Sequence, residues 1–199
     1  MRWIVLLTRC NRLRTCRDPR NWTVAERSSL ALSVHNGAPS TEGTSMPNQA
    51  PPSLDIRPAT TDDHAWLYDL HENAHRELVE RAYGRWEEAE QREFFAPLVN
   101  DHEVFILSDG DTPVGAVYLG SRDGEVWLEL VEVSPEFQGR GYGRSALRWV
   151  VARAEEQDTG TLLQVHRVNE GARRLYISEG FTDAGETSTH HLLRKDPRG

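Results

Sequence analysis

The sequence predicts an α/β domain: a mixed central sheet with helices on both sides. Three observations carry this. From Leu54 onward, short apolar runs alternate with segments of helical spacing in the order β-α-α-β-β-β-α-β-α-β. One run, "GEVWLELVEVSP", is apolar almost throughout except for acids at 129 and 132. It passes directly into "EFQGRGYGRSALRWVVARA", a glycine-rich turn followed by an amphipathic helix.

The elements follow in order. "LDIRPAT" reads as a short strand entering a helix start, with Thr60 or Thr61 as cap and Asp62 and Asp63 in the first turn, where the helix dipole favours acids. "HAWLYDLHENAHRELVERAY" sets Leu67, Leu70, Ala74, Leu78 and Ala82 at helical spacing, and Gly84 breaks it. "WEEAEQREFFAPLVN" is a second helix, with Pro97 as its expected end. "HEVFILS" and "TPVGAVYLG" are strands joined by the hairpin signal "DGD". The apolar strand then runs to Pro135. After the glycines, a helix puts Leu147, Val150, Val151 and Ala154 on one face; then come a strand "TLLQVH", a short helix from Glu170 to Glu179, and a last strand ending in "THHLLRK".

Composition sets limits. A chain of 199 residues suits one domain with a real core. Its 31 acidic residues against 23 basic ones argue against nucleic acid as partner. No apolar run reaches membrane-spanning length. Residues 1–45 carry seven arginines and three acids, leaving a formal charge of −12 beyond them. They drift into the linker-like "NGAPSTEGTSMPNQAPPS". Residues 1–52 are therefore expected to be a disordered extension and linker, and 53–197 the domain. The apolar run Trp3–Leu7 is too short for a signal-peptide core. A transit peptide is one account of the arginines; translation from Met46 is the preferred one. Both cysteines, Cys10 and Cys16, lie in the extension, so the cysteine-free domain points to the cytoplasm. With scattered histidines, no metal-ligand spacing stands out and no metal is expected.

Gly139, Gly141 and Gly143 fall within five positions, and none of the residues Gly139, Arg140, Gly141, Tyr142 and Gly143 is proline, so each can donate a backbone N–H. A strand, such a turn and a helix start make a cradle for a phosphate. "GYGRSA" also matches a dinucleotide-binding G-x-G-x-x-A. That fingerprint wants an acid at the end of the next strand, where this chain has His166 and Arg167.

"VEVSPEFQGRGYG", followed by "NEGARRLYISEGF", resembles the GNAT superfamily of acyl-CoA-dependent N-acetyltransferases. Gln138, Gly141 and Gly143 match one family motif, and Asn169, Ala172, Leu175, Tyr176, Gly180 and Phe181 a second. The resemblance covers residues 54–195 and implies a mostly antiparallel central sheet. It also implies a co-substrate, acetyl-CoA, with its pyrophosphate on the turn from Gln138 to Arg144. Its pantetheine arm would lie along the exposed main chain of Val131 and Val133, where the strand splays from its neighbour. Asn169 would bond that arm beside Ala172, or serve only as a helix cap. Tyr176 would protonate or hold the departing thiolate; as a core aromatic it would pack with Leu175 and Phe181.

The general base stays open. Strict alternation would place Trp127, Glu129, Val131 and Val133 on one face and Val126, Leu128, Leu130 and Glu132 on the other. Glu129 is the first candidate and Glu132 the second; either is otherwise a solvated strand-end acid. The acceptor would be a small-molecule or peptide amine. Glu77, Glu80, Glu87, Glu88 and Glu90, with Tyr83 and Trp86, would suit a cationic one, and His190 and His191 are further candidates for its pocket. The resemblance implies a monomer or homodimer that transfers acetyl by direct attack in a ternary complex. A non-catalytic acyl-CoA-binding regulatory module is the alternative.

Overall fold

The computed structural model describes residues 54–197. The expectations for residues 1–52 lie outside them. Strands β1 (Asp55–Pro58), β2 (Glu103–Asp109), β3 (Thr112–Arg122), β4 (Glu125–Val133), β5 (Thr161–His166), β6 (Thr182–Glu186) and β7 (His190–Lys195) form one sheet in the order β1-β2-β3-β4-β5-β7-β6. Only the central pair, β4 and β5, is parallel. Helices α1 (His64–Tyr83) and α2 (Glu88–Asn100) cover one face, and α3 (Tyr142–Glu156) and α4 (Glu170–Ser178) the other. No helix among the described residues is long and apolar enough to cross a membrane.

The start of α1 is fixed by polar chemistry. Thr60 donates its main-chain N–H and its hydroxyl to Asp63 at 2.7 and 3.0 Å, and Arg57 donates two N–H groups to the same carboxylate at 2.7 and 2.9 Å. The Arg57 guanidinium holds the Asp63 carboxyl well below the usual carboxylate range. Leu67 and Leu70 then face the sheet, with Tyr68 edge-on to Phe95 of α2. Contrary to expectation, α2 continues past Pro97 to Asn100. The fully buried Leu98 anchors its last turn, and Asp101 N–H bonds the Pro97 carbonyl at 2.9 Å. The last expected strand is two strands: β6, "TDAGE", is an exposed edge strand with no apolar alternation to mark it.

The alternation expected along β4 is broken. Tyr118 pairs with Leu130 but the next residue, Leu119, pairs with Leu128, so Glu129 is an extra, unpaired residue. Such a bulge reverses the side-chain parity beyond it. Val126 and Leu128 pack under α3 and α4, and so do Val131 and Val133. Leu130 instead joins the core under α1 and α2, and Glu132 reaches α1. The grouping of Val126, Leu128, Leu130 and Glu132 on one face is thus corrected, and the cause is the single extra residue.

Beyond the bulge β3 and β4 run very close. A Cβ at Gly115 would lie 2.3 Å from the Glu132 carbonyl oxygen and 3.3 Å from Leu107 Cδ1. Backbone atoms there cannot swing aside as a side-chain end can. Gly115→Ala is expected to cost about 1–3 kcal/mol, the usual range for overpacking. That corresponds to a fall of about 2–12 °C in the thermal midpoint. An unchanged midpoint would show that the two strands separate freely at this point.

Candidate active site

The glycine turn leaves β4 through a short 3-10 segment, Pro135–Phe137, and enters α3. Gly139 and Gly141 have φ of 74° and 96°, a backbone region that side chains disfavour. Gly143 has no such reason to be glycine. A Cβ there would make only ordinary contacts, 3.8 Å to Leu175 Cδ2 and 3.9 Å to Val133 Cγ2. The Gln138 amide donates to the Val133 carbonyl at 2.9 Å and ties the turn to the strand end.

The larger side chains of the turn are engaged elsewhere. Tyr142 is buried edge-on to Phe137 and donates its hydroxyl to Asp109. Arg140 lies 5.4 Å above the Phe137 ring. Arg144 pairs with Glu179 at 2.9 Å. Of the expected cofactor residues here, Arg140, Tyr142 and Arg144 thus have side chains in contact with other groups of the protein.

Pairing between β4 and β5 ends at Leu128 and Leu163, just before the bulge, and the strands then part. A cleft of about 260 Å³ lies alongside β4 beyond this point. Val131, Val133, Gln138 and Asn169 line its one side; Ala74, His75, Glu77, Leu78 and Arg81 of α1, with Glu132, line the other. A depression of about 300 Å³ at the opposite end of β4, around Gly124 and Arg153, shares no residue with it.

Asn169 caps α4, its Oδ1 accepting from the Ala172 N–H at 3.2 Å. One turn beyond Ala172, Tyr176 is 93% buried against Phe181, 6.0 Å between ring centres. Its hydroxyl makes no hydrogen bond among the described residues, and burial pushes the phenol up to about 12. It is thus a neutral donor at physiological pH.

Glu132 has an environment that alternation along β4 did not foresee. Its side chain is fully buried; Oε1 lies 2.7 Å from His71 Nδ1 and 2.9 Å from His75 Nδ1, and Oε2 accepts from the Tyr118 hydroxyl at 3.1 Å. Burial would raise this carboxyl, but the hydrogen bonds from His71 and His75 hold it down, at about 2. Burial, the Glu132 charge and the hydrogen bond to it carry the Tyr118 phenol far above its ordinary value. The His71 ring sits among Trp86, Phe94 and Phe95, and its Nε2 is buried without a partner. Ligand-capable atoms of His71, His75 and Glu132 lie within 4.8 Å of one another. The close separations are those of N–H···O bonds and are accounted for without an ion. The signal for this pair was present in "HENAH", since residues four apart share a helix face.

Glu129 lies elsewhere. Trp127 Nε1 donates to it, His102 Nε2 is 3.7 Å away, and it does not line the cleft. Three of the five acids expected at the acceptor pocket are also occupied: Glu80 by Arg76, Glu87 by Arg85, and Glu88 by Arg92 and Tyr68. Of the five expected there, Glu77 alone lines the cleft. Near the far end of β5, His166 lies 5.6 Å from Tyr83 and 4.8 Å from His190, ring to ring. Burial, then the charges of His166 and His191, brings the His190 imidazole down to about 4.

The family model described as acetyltransferase (GNAT) family matches residues 67–181, more than half of the chain. The chain belongs to the GNAT acetyltransferase family. It is an acyltransferase. A Bacillus subtilis spermine/spermidine N(1)-acetyltransferase is 26% identical over 144 residues, covering 67% of this chain and 91% of that protein. The PaiA N-acetyltransferase of Thermoplasma acidophilum, solved in complex with coenzyme A, superposes with a TM-score of 0.63 at 17% identity, over 72% of this chain and 99% of that one. A ribosomal-protein-alanine N-acetyltransferase from Escherichia coli gives 0.58 at 20% identity, over 74% and 97%. At these identities the two structures show the shared fold.

The Glu132 cluster has a pH signature. Its carboxyl is depressed on folding from 4.5 to about 2, so it contributes stability that is present above 4.5 and lost as pH falls through about 2. Glu132→Gln removes that contribution. Urea midpoints measured from pH 6 down to pH 2 are expected to fall more steeply for the wild type than for the variant, with the variant the less stable at pH 6. Parallel curves would mean that the buried carboxyl is not ionised.

Proposed function

We propose that this acyltransferase moves an acetyl group from acetyl-CoA to a primary amine by direct attack in a ternary complex, with residues 53–197 as the working domain. The observation that carries the reading is the parting of β4 from β5 beside the glycine turn. Main chain at Val131 and Val133 that has lost its parallel neighbour suits the amides of a pantetheine arm. The turn next to it suits the pyrophosphate. Asn169 Nδ2 would bond the arm, with Ala172 packing beside it. As the amine nitrogen bonds the acetyl carbon, the carbon–sulfur bond breaks and the sulfur takes a proton from Tyr176, which makes a neutral thiol the leaving group.

The curated Bacillus subtilis relative supports a small cationic acceptor, and Glu77 in the cleft is an acid that would attract one. Free-thiol release from acetyl-CoA across a panel of amines, spermidine and spermine included, tests the reading. Acetyl-CoA should also raise the thermal midpoint by mass action, while NAD leaves it unchanged. Gly141→Val should abolish the acetyl-CoA effect, because its φ of 96° excludes a branched side chain. Stabilisation by NAD alone, or no thiol release with any amine, would sink the acetyl-transfer reading.

Tyr176→Phe separates chemistry from packing. It keeps the ring and removes the hydroxyl, so turnover should fall about 100-fold with acetyl-CoA binding unchanged. Full turnover in a less stable variant would make Tyr176 a core residue only.

A further inference from the structure

Resting on the acetyl-transfer reading above, we propose that His75 is the general base for the acceptor amine, with Glu132 as the positioning residue that fixes its tautomer. The argument begins with Glu132. Its Oε1 is shared by two imidazole Nδ1 atoms at 2.7 and 2.9 Å, and its Oε2 takes the Tyr118 hydroxyl at 3.1 Å. With its side chain fully buried, it presents neither oxygen to the cleft to receive a substrate proton.

An ionised carboxylate only accepts hydrogen bonds, so each Nδ1 facing it carries the proton. In its neutral form an imidazole so held keeps its lone pair on Nε2. In His71 that atom is sealed among Trp86, Phe94 and Phe95. His75, one helical turn later, keeps 17% of its side chain exposed and lines the cleft with Val131 and Asn169. Of the two lone pairs, only that of His75 can meet an amine lying next to the acyl group.

The charge environment suits the task. When His75 takes a proton, its positive charge forms 2.9 Å from the Glu132 carboxylate. The other titratable groups around it are His71, Glu77 and Arg81 on α1, and Tyr118 of β3 acting through Glu132. From β4, the turn and α4, the remaining lining groups, Val131, Val133, Gln138 and Asn169, are uncharged. Arg76, adjacent in sequence, is occupied by Glu72 and Glu80.

The step balances. The acceptor ammonium gives one proton to His75 Nε2, and the freed nitrogen lone pair bonds the acetyl carbon. The carbon–sulfur bond breaks and Tyr176 gives its proton to the sulfur; the second proton leaves the nitrogen to solvent as the amide forms, and solvent returns one to the Tyr176 oxygen. His75 then releases its proton to water.

His75→Gln tests this because the Gln amide can still donate to Glu132 but has no basic lone pair. With the amine that turns over best in the wild type, kcat should fall about 100-fold while KM for acetyl-CoA and the acetyl-CoA-induced thermal shift stay unchanged. The acid limb of kcat/KM should move up toward the ionisation of the amine itself, near pH 10 for an alkylamine. Imidazole added to His75→Ala should restore part of the rate. Imidazole nitrogen NMR of the wild type should show His75 protonated at Nδ1, and in Glu132→Gln that preference should be lost together with kcat. A wild type that acetylates no amine defeats the acetyl-transfer reading itself. A wild type that does, beside a His75→Gln variant of normal rate and pH profile, defeats the base assignment alone. Loss of wild-type activity to a chelator, regained with zinc, would make the cluster a metal site and overturn the proposal.

Discussion

Between Leu128 and Leu130, β4 carries one residue more than β3 opposite it, and Glu129 has no partner across the ladder. Because side chains alternate with a period of two, that one residue inverts everything after it. It also bends the strand at the place where pairing to β5 stops. Without it, Glu132 would turn to the other face, into the largely apolar cluster that holds Val117 and Leu107. An unpaired carboxylate there would cost several kcal/mol. With it, Glu132 meets two imidazoles and a phenol, while Val131 and Val133 turn to the core under α3 and α4.

The Glu132 cluster is hard to justify by stability alone. Taking a carboxylate out of water costs several kcal/mol even after relaxation, and an apolar side chain of similar size often does as well. Three donors offset the cost here, yet His71 Nε2 is left buried without a partner, a defect worth about 1–3 kcal/mol. The packing around His71 is therefore not tuned for polar satisfaction. What the arrangement secures is geometry, since a carboxylate bound from three directions cannot rotate, and neither can the imidazoles it holds.

Much of the cleft was legible in the sequence because its parts are local. Positive-φ glycines, an Asn cap and an i, i+4 pair such as Ala172 and Tyr176 are each written within a few neighbouring residues. The helices and most strands were legible for the same reason, through their periods. What escaped depends on partners far away in the chain. The bulge at Glu129 is defined by the register with Tyr118 and Leu119, and nothing in "VWLELVEV" announces it. The imidazole pair of "HENAH" was visible as spacing, but its meaning comes from a carboxylate 57 residues beyond His75. Strand β6 exists because β7 offers it a paired edge, not because "TDAGE" has strand character. Helix α2 outlasts Pro97 because Leu98 is buried, a tertiary effect that overrides a local break.

The two faces of the sheet divide the proposed reaction between them. On the side of α3 and α4 lie the glycine turn, Asn169 and Tyr176, the groups assigned to the cofactor and its leaving sulfur. On the side of α1 lie His75 and Glu77, assigned to the amine. Pairing of β4 with its parallel neighbour stops at Leu128, one residue before the extra residue at Glu129, so the gap and the turned carboxylate occur together. A gap made by shortening β5 would open the sheet without turning Glu132 toward α1. In this chain the bulge sets the carboxylate under His75 at the point where the pairing with β5 has just ended. On this reading the position of the base depends on that one extra residue. Any change that restores the register at Glu129 should take the carboxylate away from His75.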